Sequence, residues 1–444
     1  MVTAVQSNAI PAGGTAAQQP VPAPGVDPTV QATTMELSMP ALMAFRQQST
    51  PLEVPLDTQS IALPVQGNQL TSRITNVGLG YAIITKHTMT WFVSNSSGGG
   101  AQTFTIGKTF PWSCIGNTQV QINGGAVVYS VSGYGGLLVA GRNRRGFFGQ
   151  SNLLGTQAGV NTTMVQLTFG AGLTPTAGAT MSGVASVSVA LSTVNALLTA
   201  VWYTYEKLAF TRDGLLGALP LQNNSTFATV QRTLGVIAAG ASNPTSNVLP
   251  FGATGANVTI VPQTYKYDQT YRFWSVPSNP ALYAPMVQNS YQVLEQAANI
   301  ANATGSFAAT YNLPQNNYLT ALHIVAQDSS AGPNWVVPST TFTNFRLQYN
   351  AGSVIPVQRE IRRHEFLAWF DYQYQPEDLA GYLLWDGNDT TEDIASTDTA
   401  GWVNLYDTAN PQFQFDIAGA PTLPIVYSAI RESVVAGAVA VVGG

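Results

Sequence analysis

Charged residues are scarce in this chain. Lys, Arg, Asp and Glu together make up 9% of its 444 residues, against about 25% in ordinary soluble domains. The formal net charge is −5, so we expect no direct sequence-specific binding of nucleic acid. Charge helps to keep proteins apart in solution, whereas a nearly neutral surface is suited to packing against neighbours. The composition therefore favours a protein that assembles.

Cysteine is almost absent, because Cys114 is the single one. One thiol excludes intramolecular disulfides and metal sites built on several thiolates. We expect Cys114 to be a small buried apolar residue. No apolar run reaches the roughly 18 residues that cross a bilayer. The start of the sequence lacks the basic and apolar segments of a secretory signal peptide, which favours a soluble protein made in the cytoplasm.

Turn-forming and β-branched residues fill the place of the missing charges. Gly occurs 41 times and Pro 26 times, and short runs of alternating apolar and polar residues recur between them. This pattern predicts an all-β protein. The length favours two domains. We predict a flexible N-terminal arm with a short helix at 1–50, β-domains at 51–211 and 212–434, and an apolar tail at 435–444.

One hairpin pattern occurs twice. The strand TQVQI at residues 118–122 alternates in polarity, and Asn-Gly-Gly at 123–125 follows it. The strand FRLQY at residues 345–349 also alternates, and Asn-Ala-Gly at 350–352 follows it. Both turns contain residues that tolerate positive φ. The matching order of elements favours an internal duplication, although unrelated hairpins can share so common a turn.

Three segments have the residue spacing of helices: a Met-rich stretch at 33–49, broken or kinked near Pro40, and amphipathic helices at 289–302 and 357–370. Residues 131–145 have a weaker, mixed pattern that fits a short helix and a loop.

The segment KTFPWSCIGNTQVQINGGAVVYSVSGYGG at residues 108–136 contains the first hairpin and a Ser-Gly-Tyr sequence. It resembles the corresponding hairpin of the double jelly-roll major capsid proteins of tailless icosahedral viruses, in the tectivirus-like or corticovirus-like phage lineage. LPLQNNST at residues 219–226 is similar to the passage between the two barrels of that family.

The resemblance implies two eight-stranded jelly rolls side by side, with a few short helices. It implies a capsid protein rather than an enzyme, which forms trimers of pseudo-hexagonal outline and a shell over an internal membrane. The implied partners are further copies of the chain, other capsid proteins such as a vertex or penton protein, and the membrane through residues 1–49. The implied location is the virion, after synthesis in the host cytoplasm.

The sequence offers little that supports catalysis or a cofactor. His87, His323 and His364 are scattered without the spacing of metal ligands, and we interpret them as structural. We predict no catalytic residues and no cofactor.

Acidic residues cluster in the sequence DGNDTTED at 386–393. This cluster could hold Ca²⁺, but its order differs from that of an EF-hand loop, and an exposed acidic loop is the interpretation that we favour. The candidate metal ligands are Asp386, Asp389, Glu392 and Asp393.

Arginines cluster after each of the two hairpins. We predict that they contact neighbouring subunits; anionic lipid, genome or a solvated face are the alternatives. The candidates are Arg142, Arg144, Arg145, Arg359, Arg362 and Arg363.

Two other kinds of protein fit the composition. One is a viral spike, fibre or carbohydrate-binding β-sandwich protein, and the other is a secreted glycoside hydrolase that uses the acidic cluster. The missing signal peptide weighs against the hydrolase. The apparent duplication, together with an N-terminal arm and helix, favours the capsid protein over the spike.

Overall fold

A computed structural model gives the fold of most of the chain. The residues that it describes are 39–56, 58–62, 69–75, 77–97, 101–107, 109–142, 165–175, 187–210, 216–222, 226–235, 250–255, 257–279, 282, 289–300, 308–328, 342–350, 352, 354–363, 366, 381–387, 402–406, 408–417 and 425–436. Within these ranges the chain forms strands β1 to β24 in four sheets.

The first sheet has seven strands and contains the two longest strands of the described residues. Two of its strands run 17 residues each, and side chains along them alternate between the buried and the outer face. Alternation of this kind is what a sheet with one face in a core requires. Its strands are β1 (Pro51–Pro55), β2 (Gln59–Ala62), β4 (Leu79–Asn95), β8 (Val165–Phe169), β11 (Asn195–Lys207), β12 (Leu219–Pro220) and β15 (Val258–Trp274).

A second sheet of four strands packs over one end of the first. Trp91 of the first sheet meets Phe251 of the second edge-to-face, with ring centroids 5.5 Å apart. The apolar side chains between the two sheets are fully buried, and such burial is the main favourable contribution to folding. The strands of the second sheet are β5 (Gln102–Ile106), β9 (Leu173–Pro175), β10 (Val187–Leu191) and β14 (Phe251–Thr254).

The third sheet has nine strands and contributes to both parts of the molecule. One side of it packs against the other end of the first sheet, where Ile83 and Val230 share a core. Its strands are β3 (Gln69–Thr75), β6 (Ile115–Ile122), β7 (Ala126–Val131), β13 (Phe227–Leu234), β16 (Asn289–Ile300), β18 (Tyr318–Asp328), β21 (Tyr382–Asp386), β22 (Val403–Asn404) and β24 (Ile425–Ala436).

The fourth sheet covers the remaining strands of the third. Phe345, Phe413 and Phe415 project from it into an apolar core with Leu322 and Ile324 of β18. Its strands are β17 (Ala308–Asn312), β19 (Phe342–Tyr349), β20 (Val354–Glu360) and β23 (Gln412–Ile417). The result is a second sandwich beside the one that the first two sheets and part of the third enclose.

Both predicted hairpin turns are present. Asn123 and Gly124 have φ of 51° and 69°, and Asn350 and Gly352 have φ of 54° and 83°. Asn and Gly adopt this left-handed region at low cost, which is why the pattern predicts the turns. The first hairpin joins β6 to β7 in the third sheet, and the second joins β19 to β20 in the fourth. The duplication itself stays a prediction.

Two helices of nine or more residues accompany the sheets in the described part of the chain. Helix α1 (Met39–Gln48) carries Pro40 in its first turn and lies within the Met-rich segment predicted to be helical. It docks on its own chain, since Phe45 is fully buried and its ring centroid lies 5.9 Å from that of Trp274. Helix α2 (Gly133–Gly141) confirms the short helix predicted after the first hairpin. Neither helix, nor any other in the described residues, is long and apolar enough to cross a membrane.

One predicted helix is wrong, and a second begins later than predicted. Residues 289–300 form strand β16, which pairs with β24 along its whole length, so sheet pairing overrides the helical spacing. In the segment 357–370, strand β20 continues to Glu360 and only residues 361–363 and 366 are helical; the others lie outside the described residues. The polarity pattern of the sequence indicates separate strands at 256–261 and 270–276, whereas Val258–Trp274 form the single strand β15.

Strand pairing does not follow the predicted division between residues 211 and 212. Strands β13, β14 and β15 follow that point in the sequence, yet they pair with β3, β5 and β4. The ranges 51–211 and 212–434 stay a prediction as domains, and the pairing favours a first half that extends to Trp274. Below, "first half" denotes β1 to β15 with α2, and "second half" denotes β16 to β24.

Candidate functional site: a buried polar junction between the halves

The two halves share one sheet. Strand β7 of the first half pairs in parallel with β16 of the second, through Tyr129 opposite Val293 and Ser130 opposite Leu294. Helix α2 adds a second contact, because its Leu138 belongs to the same core cluster as Val325 of the second half. The two halves are therefore joined here by paired strands of one continuous sheet.

The start of α2 is held by a carboxylate from the second half. Ser132 caps the helix and accepts a hydrogen bond of 3.1 Å from the backbone N–H of Gly135. The backbone N–H of Ser132 donates to Oε2 of Glu295 at 2.6 Å, and Ser428 donates to the other oxygen of that carboxylate. A carboxylate is favourable here because the N-terminus of a helix carries partial positive charge.

The end of α2 places Arg142 in the junction. Its Nε and Nη2 donate to the two carboxylate oxygens of Asp386 at 2.7 and 2.6 Å. Its Nη1 donates to Oε2 of Glu432 at 2.8 Å. All three side chains are buried. Bidentate pairing of this type matches the planar guanidinium, so the three groups fix each other's orientation.

Glu432 on β24 is the centre of this cluster. Besides Arg142, Lys207 of β11 donates to its Oε2 at 3.1 Å, and the hydroxyl of Tyr291 donates to the same oxygen. Its Oε1 lies 2.6 Å from Nε2 of His323, whose Nδ1 is 2.9 Å from the hydroxyl of Tyr382. Both oxygens of the carboxylate are therefore satisfied, although no water reaches them.

The charges in the cluster stabilise each other against the effect of burial. Burial alone would raise the pKa of Glu432, but Arg142, Lys207 and His323 hold it well below its usual value. Burial would lower the pKa of Arg142, yet Asp386 and Glu432 keep it well above normal. Burial lowers the pKa of Lys207 in spite of Glu432. We interpret Glu432 as ionised, with the charged groups of Arg142 and Lys207 beside it.

A second buried network lies inside the first half. Nη2 of Arg232 donates to Oε1 of Glu206 at 3.0 Å and to Oγ1 of Thr85 at 2.6 Å. His87 lies nearby, with its Nδ1 2.7 Å from the hydroxyl of Tyr265. Burial, together with the charge of Arg232, holds the pKa of His87 well below its usual value, so its imidazole is neutral.

Solved structures of virus capsids share this arrangement of sheets. The STIV major capsid protein matches with a TM-score of 0.54 at 14% identity, covering 87% of this chain and 97% of that one. A structure of Sulfolobus turreted icosahedral virus gives 0.52 at 16% identity, covering 87% and 91%. The Faustovirus major capsid protein gives 0.50 at 10% identity, covering 87% and 90%.

The chain has the double jelly-roll fold. The predicted all-β class and the two rolls side by side are thereby confirmed. At identities this low, the similarity shows the fold and nothing more. No family model matches the sequence, and no curated protein matches it. The tectivirus-like or corticovirus-like lineage stays a prediction.

The predicted arginines of the double jelly roll fall into four groups. Arg142 is buried inside its own chain, so its side chain offers no surface for the predicted subunit contact. Arg359 lies in β20, with its backbone opposite Phe345. Arg362 and Arg363 are exposed, and their predicted role at subunit boundaries stays a prediction. Arg144 and Arg145 lie outside the described residues.

Only one of the four predicted metal ligands in the acidic cluster lies in the described residues. Asp386 ends β21 and is buried, with both oxygens on Arg142, so it is not open to a metal ion. Asp389, Glu392 and Asp393 lie outside the described residues. Within the described part of the chain, no group of three or more His, Cys, Asp or Glu side chains could hold a metal. Cys114 is buried as expected, and burial raises its pKa.

Sequence reasoning missed Lys207, Tyr291 and Glu432. A usable signal exists in β24, where Glu432 interrupts the apolar strand IVYSAIRESVVA. A charged residue inside such a strand has to be exposed on one face or paired within the protein. No local signal connects Arg142 to Glu432, because 290 residues separate them.

We expect Arg142→Met to lower the free energy of unfolding by about 3–5 kcal/mol, because it leaves two buried carboxylates with too few cations. The matched control is Arg272→Met. Arg272 is partly exposed and pairs at 2.6 Å with Glu53, whose side chain is 51% exposed. The loss of such a pair is expected to cost less than about 1 kcal/mol. Chemical denaturation of the purified variants measures both effects. Equal losses would contradict the importance of the junction.

We also expect the protein to lose stability in acid in two steps. The pKa of His87 is lower in the folded chain than the usual value of about 6.5, so the unfolded chain takes up a proton first and stability falls as the pH drops below that value. The pKa of Glu432 is also depressed, and its contribution is lost at still lower pH, as the pH falls through its folded value.

The variant His87→Gln isolates the first of these two steps. Its deficit in unfolding free energy relative to the parent protein is expected to shrink as the pH falls from about 7.5 to about 5. Denaturation curves at several pH values measure the deficit. A deficit that stays constant over that range would show that His87 titrates alike in the folded and unfolded chains.

Proposed function

We propose that this protein is the major capsid protein of an icosahedral virus. The observation that carries the proposal is the side-by-side pairing of two jelly rolls, which matches the fold of the STIV major capsid protein over 97% of that chain. Paired rolls give each chain two similar walls, so three chains would form a ring of six similar walls. This geometry supports the proposal of a homotrimer of pseudo-hexagonal outline that tiles a closed shell.

The outer face of the first sheet supports contacts between copies. Thr168, Thr199, Thr90 and Thr264 lie in one row across β8, β11, β4 and β15. Leu197, one row away on β11, is 50% exposed. Neutral polar and apolar side chains such as these bury against a protein surface at little desolvation cost, whereas Lys266 and Asp268 lie further along the same face. We propose this face as a boundary between chains in the shell.

A structural role suits the polar groups as well. In the junction and in the network of the first half, the ionisable side chains pair with each other inside the protein instead of lining an open cleft. Enzymes place such groups where a substrate can reach them. We therefore propose a scaffold and no catalytic activity.

The remaining partners follow from the capsid role. We propose contacts with further copies of the chain and with other capsid proteins, such as a vertex or penton protein. Residues 1–49 are proposed to contact an internal membrane. In this segment Phe45 packs against Trp274 of its own chain, whereas Met43 is 56% exposed and is open to such a contact. The proposed location is the virion, after synthesis in the host cytoplasm.

The central test is the mass and shape of the purified protein. Light scattering is expected to give about three times the chain mass of 47.0 kDa, and negative-stain images are expected to show six-sided particles or shells. The variant Leu197→Asp places a charge on the proposed boundary and should shift the protein toward monomers without changing its thermal unfolding. A stable monomer of the parent protein at micromolar concentration, with no larger species, would overturn the proposal.

The exposed arginines give a separate prediction about assembly. If Arg362 and Arg363 pair with acidic groups of a neighbouring chain, the variant with both changed to Gln should fall apart at a lower salt concentration. Screening shortens the reach of such pairs from about 10 Å at 0.1 M to about 3 Å at 1 M salt. Arg272→Gln is the control, because Arg272 already pairs within its own chain. Unchanged salt sensitivity of the double variant would mean that both arginines face solvent.

A further inference from the structure

One buried arginine takes no part in the networks described above. Arg431 on β24 is 9% exposed, and its Nε has no hydrogen-bond partner in the described part of the chain. No carboxylate of the described residues pairs with its guanidinium. The neighbouring Glu432 points to the opposite face of the strand, into the junction. Arg431 therefore differs from Arg142 and Arg232, which both have buried carboxylate partners.

The surroundings of Arg431 are apolar. Its partners across the sheet are Leu294 of β16 and Leu322 of β18. Ala429, on the same face of β24, belongs to the core cluster with Phe413 and Phe415 of the fourth sheet. A guanidinium without a counter-charge in such surroundings costs several kcal/mol. The position therefore calls for a negatively charged group.

A second unsatisfied group lies beside it. Ser433 is two residues further along β24, on the same face as Arg431, and its buried Oγ has no hydrogen-bond partner in the described residues. Residues i and i+2 of a strand are about 7 Å apart. A long guanidinium and a hydroxyl at that spacing can both donate to one group placed between them.

The two unsatisfied groups lie close to an edge of the second sandwich. Strand β16 pairs with β7 only at Val293 and Leu294, and β17 is the last strand of the fourth sheet. At this edge the hydroxyl of Tyr311 donates to Oε1 of the exposed Gln296 at 3.4 Å. Strand β24, which carries Arg431, is the neighbour of β16 in the third sheet. Arg431 keeps 9% exposure, so its side chain is not completely closed off from solvent.

We propose that Arg431 and Ser433 form a binding site for a small oxyanion, such as inorganic phosphate or sulfate, between the sheets of the second sandwich. The planar guanidinium donates two parallel hydrogen bonds to two oxygens of such an anion, and Ser433 donates a third. The anion neutralises the buried charge and ties β24 to the edge of the fourth sheet. This site does not depend on the proposed capsid function.

The acidic groups nearby are already committed to other partners. Glu295 and Glu432 face the junction, where Ser132 and Arg142 hold them. Asp416 lies on the outer face of the fourth sheet and pairs with Arg346 at 3.1 Å. Among the described residues, none of these carboxylates serves as an internal counter-charge for Arg431, which favours an anion from solution.

The test is thermal unfolding of the full-length protein with increasing phosphate or sulfate, at an ionic strength held constant with sodium chloride. A site that binds only the folded protein produces a saturable rise in Tm. Sulfate and phosphate also stabilise proteins by exclusion from the surface, an effect that does not saturate and is common to all variants. We expect a saturable rise for the parent protein and none for Arg431→Met.

Three further variants sharpen the result. Arg346→Met removes an arginine from the outer face of the same sandwich and should keep the saturable rise. Ser433→Ala should raise the dissociation constant by about tenfold, as the loss of one hydrogen bond to a charged group does. Arg431→Lys keeps the charge but loses the two parallel bonds, so it should bind more weakly than the parent; it decides the matter if Arg431→Met does not fold.

The proposal is overturned if the parent protein shows no saturable response to either anion, or if Arg431→Lys and Ser433→Ala respond like the parent. Calorimetric titration of phosphate into the parent protein gives the dissociation constant directly. Because both measurements use the soluble protein in whatever oligomeric state it has, a negative result leaves the capsid proposal untouched. Conversely, a monomeric protein could still bind the anion.

Discussion

The need to neutralise buried charge at Glu432 governs how the two jelly rolls meet. This carboxylate accepts hydrogen bonds from Arg142 and Lys207 of the first half and contacts Tyr291 and His323 of the second. Removing either half would leave ions without counter-charge in a region closed to water, at a cost of several kcal/mol. The two halves therefore have one relative position in which every group of the cluster is satisfied. The parallel pairing of β7 with β16 is formed in that same position.

This constraint accounts for the burial of several of the few Lys and Arg residues in the sequence. The chain has 17 Lys and Arg residues, yet Arg142, Lys207, Arg232 and Arg431 are buried or nearly so. Apolar contacts alone tolerate many arrangements of two similar sandwiches, because they lack direction. Charge pairs and bidentate hydrogen bonds are directional, so they select one arrangement. The proposed capsid role would require that single shape, because every copy in a regular shell has to present the same faces to its neighbours.

The sequence predicted those elements whose signal is local. The two hairpin turns depend on Asn and Gly at positive φ, and both are present. The segment 289–302 misled because its composition favours a helix, whereas pairing with β24 twelve residues long decides its structure. Strand β15 was predicted as two shorter strands. It continues across Pro262, which cannot donate to the ladder, and its register against β4 shifts at that point. The junction had no local signal, since 244 residues separate Arg142 from Asp386.

The position of a charge within the strand alternation carries more information than charge alone. Arg232 occupies the same phase of β13 as Val230 and Leu234, both of which are buried, and it is buried with them. Arg346 lies out of phase with the buried Phe345 and Leu347, and it remains partly exposed beside Asp416. Successive side chains of a strand point to opposite faces, so the phase alone assigns each arginine to the interior or the surface. Clustering along the sequence misassigned Arg142 to the surface, because it lies at the end of a buried helix and has no strand phase to indicate its environment.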